Sequence, residues 1–346
     1  MSVVAVTGAS GAAGRLLVEA LGERDDVRRV IGVDVAEPRF GTRNLEFYRL
    51  DVRSEAMRDV LRGADVLVHL ASGAPQLAEE ERRDVNVAGT RCALAAAAEA
   101  GVGHVVYRSS ALVYGAHPDN DLPLTEDSPV RPVIGVDESA HRAEAEDLVS
   151  RFRDDHSTSA TVLRPCLVAG ARSGGLIAAA ARSPFVVRVA GYDPPLQILH
   201  ESDLVSALLA AMDRRLDGVY NVAPARTLSL TQVAGELGVR LVDESPDEAE
   251  RKMSRAARLS PGGVDPSWTS FLMYPCVASG DRIAAEGFTA QRSPEDALRD
   301  AAQARHGFVS VGPVRVRPRD LAVAAAGVAA VAGSLARRRA RKSRPV

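Results

Sequence analysis

The sequence predicts an α/β fold: a doubly wound, Rossmann-like parallel sheet with a smaller C-terminal substrate lobe and a helical basic tail. Three observations carry this expectation. An apolar run, Val3-Val4-Ala5-Val6, breaks into Thr7-Gly8-Ala9-Ser10-Gly11-Ala12-Ala13-Gly14, and a helical stretch from Arg15 to Leu21 then leads to a second apolar run that ends on Asp34. Short apolar runs go on alternating with helical stretches as far as about residue 165, the pattern of a parallel sheet covered on both faces. Beyond residue 170 the regularity gives way to Pro-rich, irregular chain.

The first unit reads as strand, glycine turn, helix and second parallel strand. Gly8, Gly11 and Gly14 let main-chain N–H groups, with those of Ser10 and Ala12, approach a pyrophosphate at the positive end of the helix. Asp34 falls at the tip of the second strand, where a carboxylate accepts hydrogen bonds from both hydroxyls of an adenosine ribose. A carboxylate there repels a 2′-phosphate, so the expected cofactor is NAD rather than NADP.

The other elements follow in order. Glu46 to Leu50 is a short third strand ending at Asp51. Ser54 caps a helix through about Leu61, and Ala64 to Leu70 is a fourth strand. An Ala-rich helix runs from about Ala78 to Ala100 and stops at Gly101. His104 to Arg108 is strand five, Val136 to Arg153 a helix, and Ala160 to Arg164 strand six. Ligands of such sheets bind beyond the carboxyl ends of the strands; Asp34, Asp51, His69 to Ala71, Ser109-Ser110 and Arg164-Pro165 all fall there. Residues 1–170 are therefore expected to form the dinucleotide domain. Leu196 to His200 and Gly218 to Val222 read as short strands around a helix, Ser202 to Arg214, so 197–223 returns to it. Residues 171–196 and 224–310 form the substrate lobe, and 311–346 the tail.

The tail places an Ala/Val/Leu stretch, Leu321 to Ala336, before Arg337-Arg338-Arg339-Ala340-Arg341-Lys342. It reads either as a helix docking on the body or a partner, or as an interfacial anchor whose arginines meet anionic lipid, giving weak membrane association.

The remaining composition is that of an ordinary globular chain, 46% hydrophobic and 25% charged. A formal net charge of −2 gives no reason to expect nucleic acid. Cys92, Cys166 and Cys276 are far apart and make neither a disulfide framework nor a zinc site, and no His/Cys/carboxylate cluster has ligand spacing, so no metal is expected. Together with an opening that enters its first strand within two residues of Met1, this reads as a cytoplasmic protein, peripheral to the membrane at most.

In this order and spacing the motifs resemble the extended short-chain dehydrogenases/reductases, the NAD-dependent epimerase/dehydratase group that includes UDP-glucose 4-epimerases. The resemblance covers about residues 3–310. It rests on Thr7 to Gly14; on Asp51-Val52; on His69-Leu70-Ala71; on Asn86-Val87-Ala88-Gly89-Thr90; and on Ser109-Ser110-Ala111-Leu112-Val113-Tyr114-Gly115. Leu163-Arg164-Pro165, His200-Glu201-Ser202-Asp203-Leu204 and Tyr220-Asn221-Val222 extend it. It implies that Gly8, Gly11 and Gly14 carry the pyrophosphate, Asp34 the ribose, and Asp51 with Val52 the adenine edge. Leu70, Ala71 and Ser72 would flank the nicotinamide side, Asn86 would steady the neighbouring loop, and Ser109 and Pro165 would complete the cofactor site. Ser110 matches the catalytic serine. The resemblance also implies a homodimer paired through two long helices.

The catalytic base departs from the pattern. In the family a tyrosine, with a lysine four residues on, opens the helix after strand five, and the ammonium lowers the phenol's pKa. Here Ala143-Glu144-Ala145-Glu146 aligns with the family's downstream run and puts Glu138 at the tyrosine position and Arg142 at the lysine position. The chain's lysines, Lys252 and Lys342, lie far away in sequence. Glu138 or His141 would then replace the tyrosine as proton carrier while Arg142 orients the cofactor ribose. Alternatively Glu138 and Arg142 are an ordinary i,i+4 ion pair on a polar helix face. The arginine that in sugar-nucleotide epimerases precedes the histidine of His-x-x-Asp by four is Leu196, so a nucleotide sugar is one small-molecule substrate among several. His200 and Asp203 read as a structural hydrogen bond and a helix cap. Two functions follow: an NAD-dependent epimerase/dehydratase-like oxidoreductase acting on a sugar-like or other small alcohol, or an NAD-binding sensor or scaffold that has lost turnover.

Overall fold

In the computed structural model, residues 1–156, 158–183, 185–259, 266–304, 309–311 and 314–316 are described. The chain opens with β1 (Ser2–Thr7), α1 (Ala12–Gly22), β2 (Val27–Asp34), β3 (Leu45–Arg49), α2 (Met57–Val60) and β4 (Val66–His69). Then come α3 (Glu79–Arg83), a π-helical turn (Asp84–Ala88), α4 (Gly89–Ala100), β5 (His104–Arg108), a 3-10 turn (Ala111–Tyr114), α5 (Asp137–Asp155) and β6 (Ser159–Pro165). The remainder holds β7 (Leu167–Ala169), α6 (Gly175–Arg182), β8 (Phe185–Val189), β9 (Pro195–Leu196), β10 (Ile198–His200), α7 (Glu201–Arg214) and β11 (Gly218–Val222). It continues with β12 (Leu228–Ser229), α8 (Leu230–Leu237), β13 (Arg240–Glu244), α9 (Pro246–Leu259), α10 (Thr269–Met273), α11 (Asp281–Ala285) and α12 (Pro294–Gln303).

Seven strands form one parallel sheet in the order β11-β6-β5-β4-β1-β2-β3, the doubly wound architecture expected from the sequence. β1 lies inside the sheet between β4 and β2, and its apolar run is explained by burial on both faces. Val4 and Val6 pack with Leu17, Val18 and Leu21 of α1 and Leu204, Leu208 and Ala211 of α7. Val3 and Ala5 face the other way, in a cluster that also holds Ala93, Leu94 and Ala97 of α4 and Ala145, Val149 and Phe152 of α5. Each such valine or leucine withdrawn from water contributes roughly 1.5–3 kcal/mol, so the continuous run holds β1 inside the sheet. The strand order reverses between β1 and β4, which opens a crevice beyond their carboxyl ends.

A smaller core joins α6, α8 and α12 through Ile177, Val233, Leu237, Leu298 and Ala301. Beside it β8 pairs in parallel with β13 and β7 with β10, while β9 pairs antiparallel with β12.

Three local expectations are refined. The Ala-rich helix runs from Glu79 to Ala100 and takes a π-helical turn at Asp84–Ala88 within it. The helix expected from Ser54 reduces to Met57–Val60, because Ser54 N–H bonds back to Asp51 O and Met57 N–H to Ser54 O, a turn rather than a helical start. The strand expected over Leu196 to His200 is split at Gln197. The Gln197 amide donates to Pro224 O at 2.8 Å and Ala278 O at 2.9 Å and accepts from Ala278 N–H at 2.8 Å, so the two halves pair with different partners. The basic tail, Leu321 to Lys342, lies outside the described residues; among those described, no helix is long and apolar enough to cross a membrane.

Candidate active site

The cofactor end is shaped by close backbone approach. Gly8 has φ +68°, and a Cβ there would meet Ala71 N at 2.8 Å; one on Gly14 would meet Gly8 O at 2.0 Å. The loop from Thr7 to Ala12 is thus pressed against the β4 end at Leu70-Ala71 and against the first turn of α1. Thr7 Oγ1 fastens this contact by accepting from Leu70 and Ala71 N–H at 3.2 and 3.3 Å. Gly11 is the N-cap of α1 and has no side chain to bond the free N–H groups of the first turn, whose first residue is Ala12. This is a cradle that side chains would fill, and it suits a pyrophosphate.

Asp34 ends β2 beside that loop. Its Oδ2 accepts from Ser10 N–H and its Oδ1 from Ala36 N–H, each at 3.0 Å. A carboxylate has about four lone-pair sites, so the same group retains capacity for ribose hydroxyls. Ser10 Oγ donates to Ala36 O and locks the turn. Asp51 is differently engaged. Arg53 grips it through Nε at 2.9 Å and Nη2 at 2.6 Å and reaches Asp84 at 2.6 Å, which holds the Asp51 carboxyl below its ordinary value. Val52 is buried, its Cγ1 against the position a Gly89 Cβ would take.

Below β4 a buried relay continues from Thr7. Thr7 Oγ1 lies 2.6 Å from His69 Nδ1, His69 Nε2 lies 3.1 Å from Thr90 Oγ1, and Thr90 donates to Asn86 O. Burial, aided by the charge of Arg142, pushes the His69 imidazole down to about 4, so it is neutral at pH 7. Asn86, on the π-turn, accepts from Gly73 N–H at 2.8 Å, beyond Ser72. That bond fixes its amide orientation, so Asn86 Nδ2 donates to His141 Nδ1 at 3.3 Å and His141 Nε2 carries the proton toward Glu79, 3.2 Å away. Both nitrogens of the buried His141 ring are therefore engaged.

The end of β5 carries the two serines, which have separate surroundings. Ser109 is fully buried; its N–H bonds Leu163 O at 2.7 Å and its hydroxyl donates to Glu146. Glu146 is paired with Arg164 at 2.5 Å, and Arg164 Nη1 donates to Tyr114 OH, which donates to Asn221 Oδ1, both at 2.8 Å. The sequence motif residues Tyr114, Arg164 and Asn221 are thus one buried polar network that ties β5, β6, β11 and α5 together. Pro165 closes β6 against Val222. Ser110, by contrast, caps the 3-10 turn: its Oγ accepts from Leu112 N–H at 3.2 Å, which leaves the hydroxyl proton free to donate outward.

Glu138 and Arg142 open α5 as an ion pair. Arg142 Nη2 and Nε reach Glu138 Oε1 at 3.1 and 3.3 Å, and Nη1 donates to Arg108 O at 2.8 Å. Arg142 is 10% exposed, whereas the Glu138 side chain is 55% exposed. Partial shielding opposes ionisation of Glu138, but Arg142 beside it and Arg108 behind outweigh that, and the carboxyl lies below its usual value. Sequence reasoning passed over Arg108. A lone arginine at a strand end has no distinguishing pattern, yet here it is half-buried and its Nε is buried with no partner.

A cavity of about 500 Å³ lies along α5 against β6 and β11, lined by Val149, Ala160, Val162 and Val219 and also by Glu146 and Arg164. His200, at the start of α7, accepts from Ser202 N–H, and Asp203 accepts from Gln291 and Arg292 N–H, so both hold structure.

Residues 4–223 match the model of the NAD dependent epimerase/dehydratase family. An uncharacterized protein of Mycobacterium tuberculosis is 31% identical over 251 residues, 68% of this chain; the match spans 66% of that relative's length. Among solved structures, MoeE5 in complex with UDP-glucuronic acid and NAD is 25% identical, with a TM-score of 0.70 over 87% of this chain and 98% of that one. UDP-glucose 4-epimerase of Thermotoga maritima, at 19% identity, shares the fold with a TM-score of 0.71 over 87% of this chain and 98% of its own.

Proposed function

The chain belongs to the NAD-dependent epimerase/dehydratase family, an extended short-chain dehydrogenase/reductase type whose cofactor is NAD, and from that premise we propose that it oxidises a sugar-like or other small alcohol with Glu138 in the place of tyrosine. The observation that carries this reading is the Glu138–Arg142 pair, anchored through Arg142 to the carbonyl of Arg108, the residue just before Ser109-Ser110. The nucleotide sugar in the MoeE5 complex supports a substrate of that kind, while Leu196 offers no charge to a diphosphate.

Gly8, Gly11 and Gly14 give the pyrophosphate its backbone cradle, and Asp34 holds the ribose. When bound, NAD supplies the hydride acceptor. Ser110 donates its free hydroxyl proton to the substrate oxygen and orients the carbinol. Glu138, ionised by Arg142, takes the alcohol proton. His141 serves as a positioning residue, because both its nitrogens are spent on Asn86 and Glu79. A carboxylate is a weaker base than a phenolate, so the reaction runs slower than in a tyrosine-lysine enzyme.

The test is a panel of alcohols and nucleotide sugars incubated with NAD and the full chain, followed by the absorbance of reduced nicotinamide. Reduction by at least one alcohol, slowed at least about a hundredfold in Ser110→Ala, is expected. Tight NAD binding with no reduction would favour the sensor instead.

A further inference from the structure

Arg108 stands apart from the other buried charges of this site. It ends β5, two residues before Ser110, and its own carbonyl is bonded by Arg142. Among the described residues nothing accepts a hydrogen bond from its guanidinium and no carboxylate pairs with it, and the Nε atom is buried. Every other guanidinium of this region is spoken for: Arg142 on Glu138, Arg164 on Glu146, Arg82 on Asp137.

The local charge does not balance. Arg108, Arg142 and Arg164 contribute three positive charges against the carboxylates of Glu138, bonded to Arg142, and Glu146, bonded to Arg164. Burial and then the charge of Arg142 push the Arg108 guanidinium down to about 10, against the smaller opposing pull of Glu138 and Tyr107. Even so it stays protonated at pH 7. A buried guanidinium nitrogen with no acceptor costs free energy unless something else supplies one. The pyrophosphate cradle is on β1, three strands along the sheet order from β5 when both ends are counted, and it has its own main-chain donors.

From the unpaired guanidinium we infer that Arg108 forms a carboxylate subsite and that the substrate is an anionic alcohol, a hydroxy acid or sugar acid. This rests on the alcohol-oxidation reading above and narrows it. Two residues of extended strand separate Arg108 from Ser110, roughly 6–7 Å, which suits a carboxylate a few bonds from the hydroxyl that Ser110 orients. The planar guanidinium matches a carboxylate with two parallel N–H···O bonds. Arg108 touches the anion, not the reacting atoms, so it determines specificity.

Matched pairs test this: UDP-glucuronic acid against UDP-glucose, and free glucuronate against glucose, each titrated calorimetrically into the full chain saturated with NAD. The acid of at least one pair is expected to bind at least about tenfold tighter. Arg108→Met should abolish that preference while the melting temperature is kept and the NAD affinity stays within about twofold; Arg108→Lys should retain part of it. Equal affinity for acid and alcohol in both pairs, no binding of either acid, or a preference that survives Arg108→Met in a folded protein would each overturn the inference. Failure of NAD itself to bind would instead defeat the underlying reading, and a separate NAD titration reads that outcome directly.

Discussion

The glycine end and the serine end of the crevice are built on different physics. At the glycine end the backbone sets the shape: Gly8 and Gly14 are glycines because Ala71 N and Gly8 O occupy the space a Cβ needs. Few other residues fit, so the sequence carries the family's pattern there intact. At the serine end side chains do the work, and one side chain can replace another without moving the backbone. In the proposed reading Glu138 and Arg142 take the tyrosine and lysine positions, while α5 holds Ser109 and Arg164 through Glu146.

The comparison breaks first, and with the largest effect, at the network beneath the serines. Glu146→Ala leaves Arg164 charged and buried, and we expect a loss of about 3–5 kcal/mol in denaturant unfolding; a loss below 1 kcal/mol would mean that the network is not what fixes β5 to α5. His69 gives the next effect. Its folded value of about 4 lies below the ordinary 6.5, so the unfolded chain binds the proton first as pH falls. Stability contributed by the neutral ring is present above pH 6.5 and is lost on descending toward pH 4, on the order of 3 kcal/mol. Melting curves of the parent and of His69→Gln across that range should differ in slope, with the variant flatter.

Gly8→Ala sharpens the contrast from the cofactor end. The left-handed φ and the Ala71 contact should together cost about 2 kcal/mol of stability and weaken NAD binding, both read on one purified variant. Asp34→Ala is the smallest effect. Losing a ribose-directed carboxylate should weaken NAD about tenfold and NADP much less, as measured by parallel titrations.

Much of the fold was legible, for a reason visible in single residues. The β1 run, the glycine turn and Asp34 are positions where backbone geometry leaves little choice, and burial on two faces writes itself as Val3 to Val6. The π-turn at Asp84–Ala88 was not legible, because an Ala-rich run satisfies helical periodicity whether or not one extra residue is looped into it. Gln197 likewise looks like part of one strand until its amide finds Pro224 and Ala278. Within the site, Ser110, Glu138 and Arg142 were singled out through the family resemblance. Arg108 was missed because its meaning lies in what does not pair with it, which only three dimensions reveal. Glu146 appeared in the sequence merely as an alignment marker, yet it is the buried partner of both Ser109 and Arg164.

The account turns on an ionised Glu138 acting where a tyrosine would otherwise stand. The most direct measurement is the pH dependence of kcat/KM for alcohol oxidation in the parent and in Glu138→Gln, with NAD affinity recorded for each. Because Arg142 and Arg108 hold the Glu138 carboxyl low, the parent's activity should persist as pH falls through 6 and fail only below the ordinary glutamate range. Glu138→Gln should be slower by at least about a hundredfold and bind NAD as before. A limb near neutral pH, or a glutamine variant as fast as the parent, would contradict it.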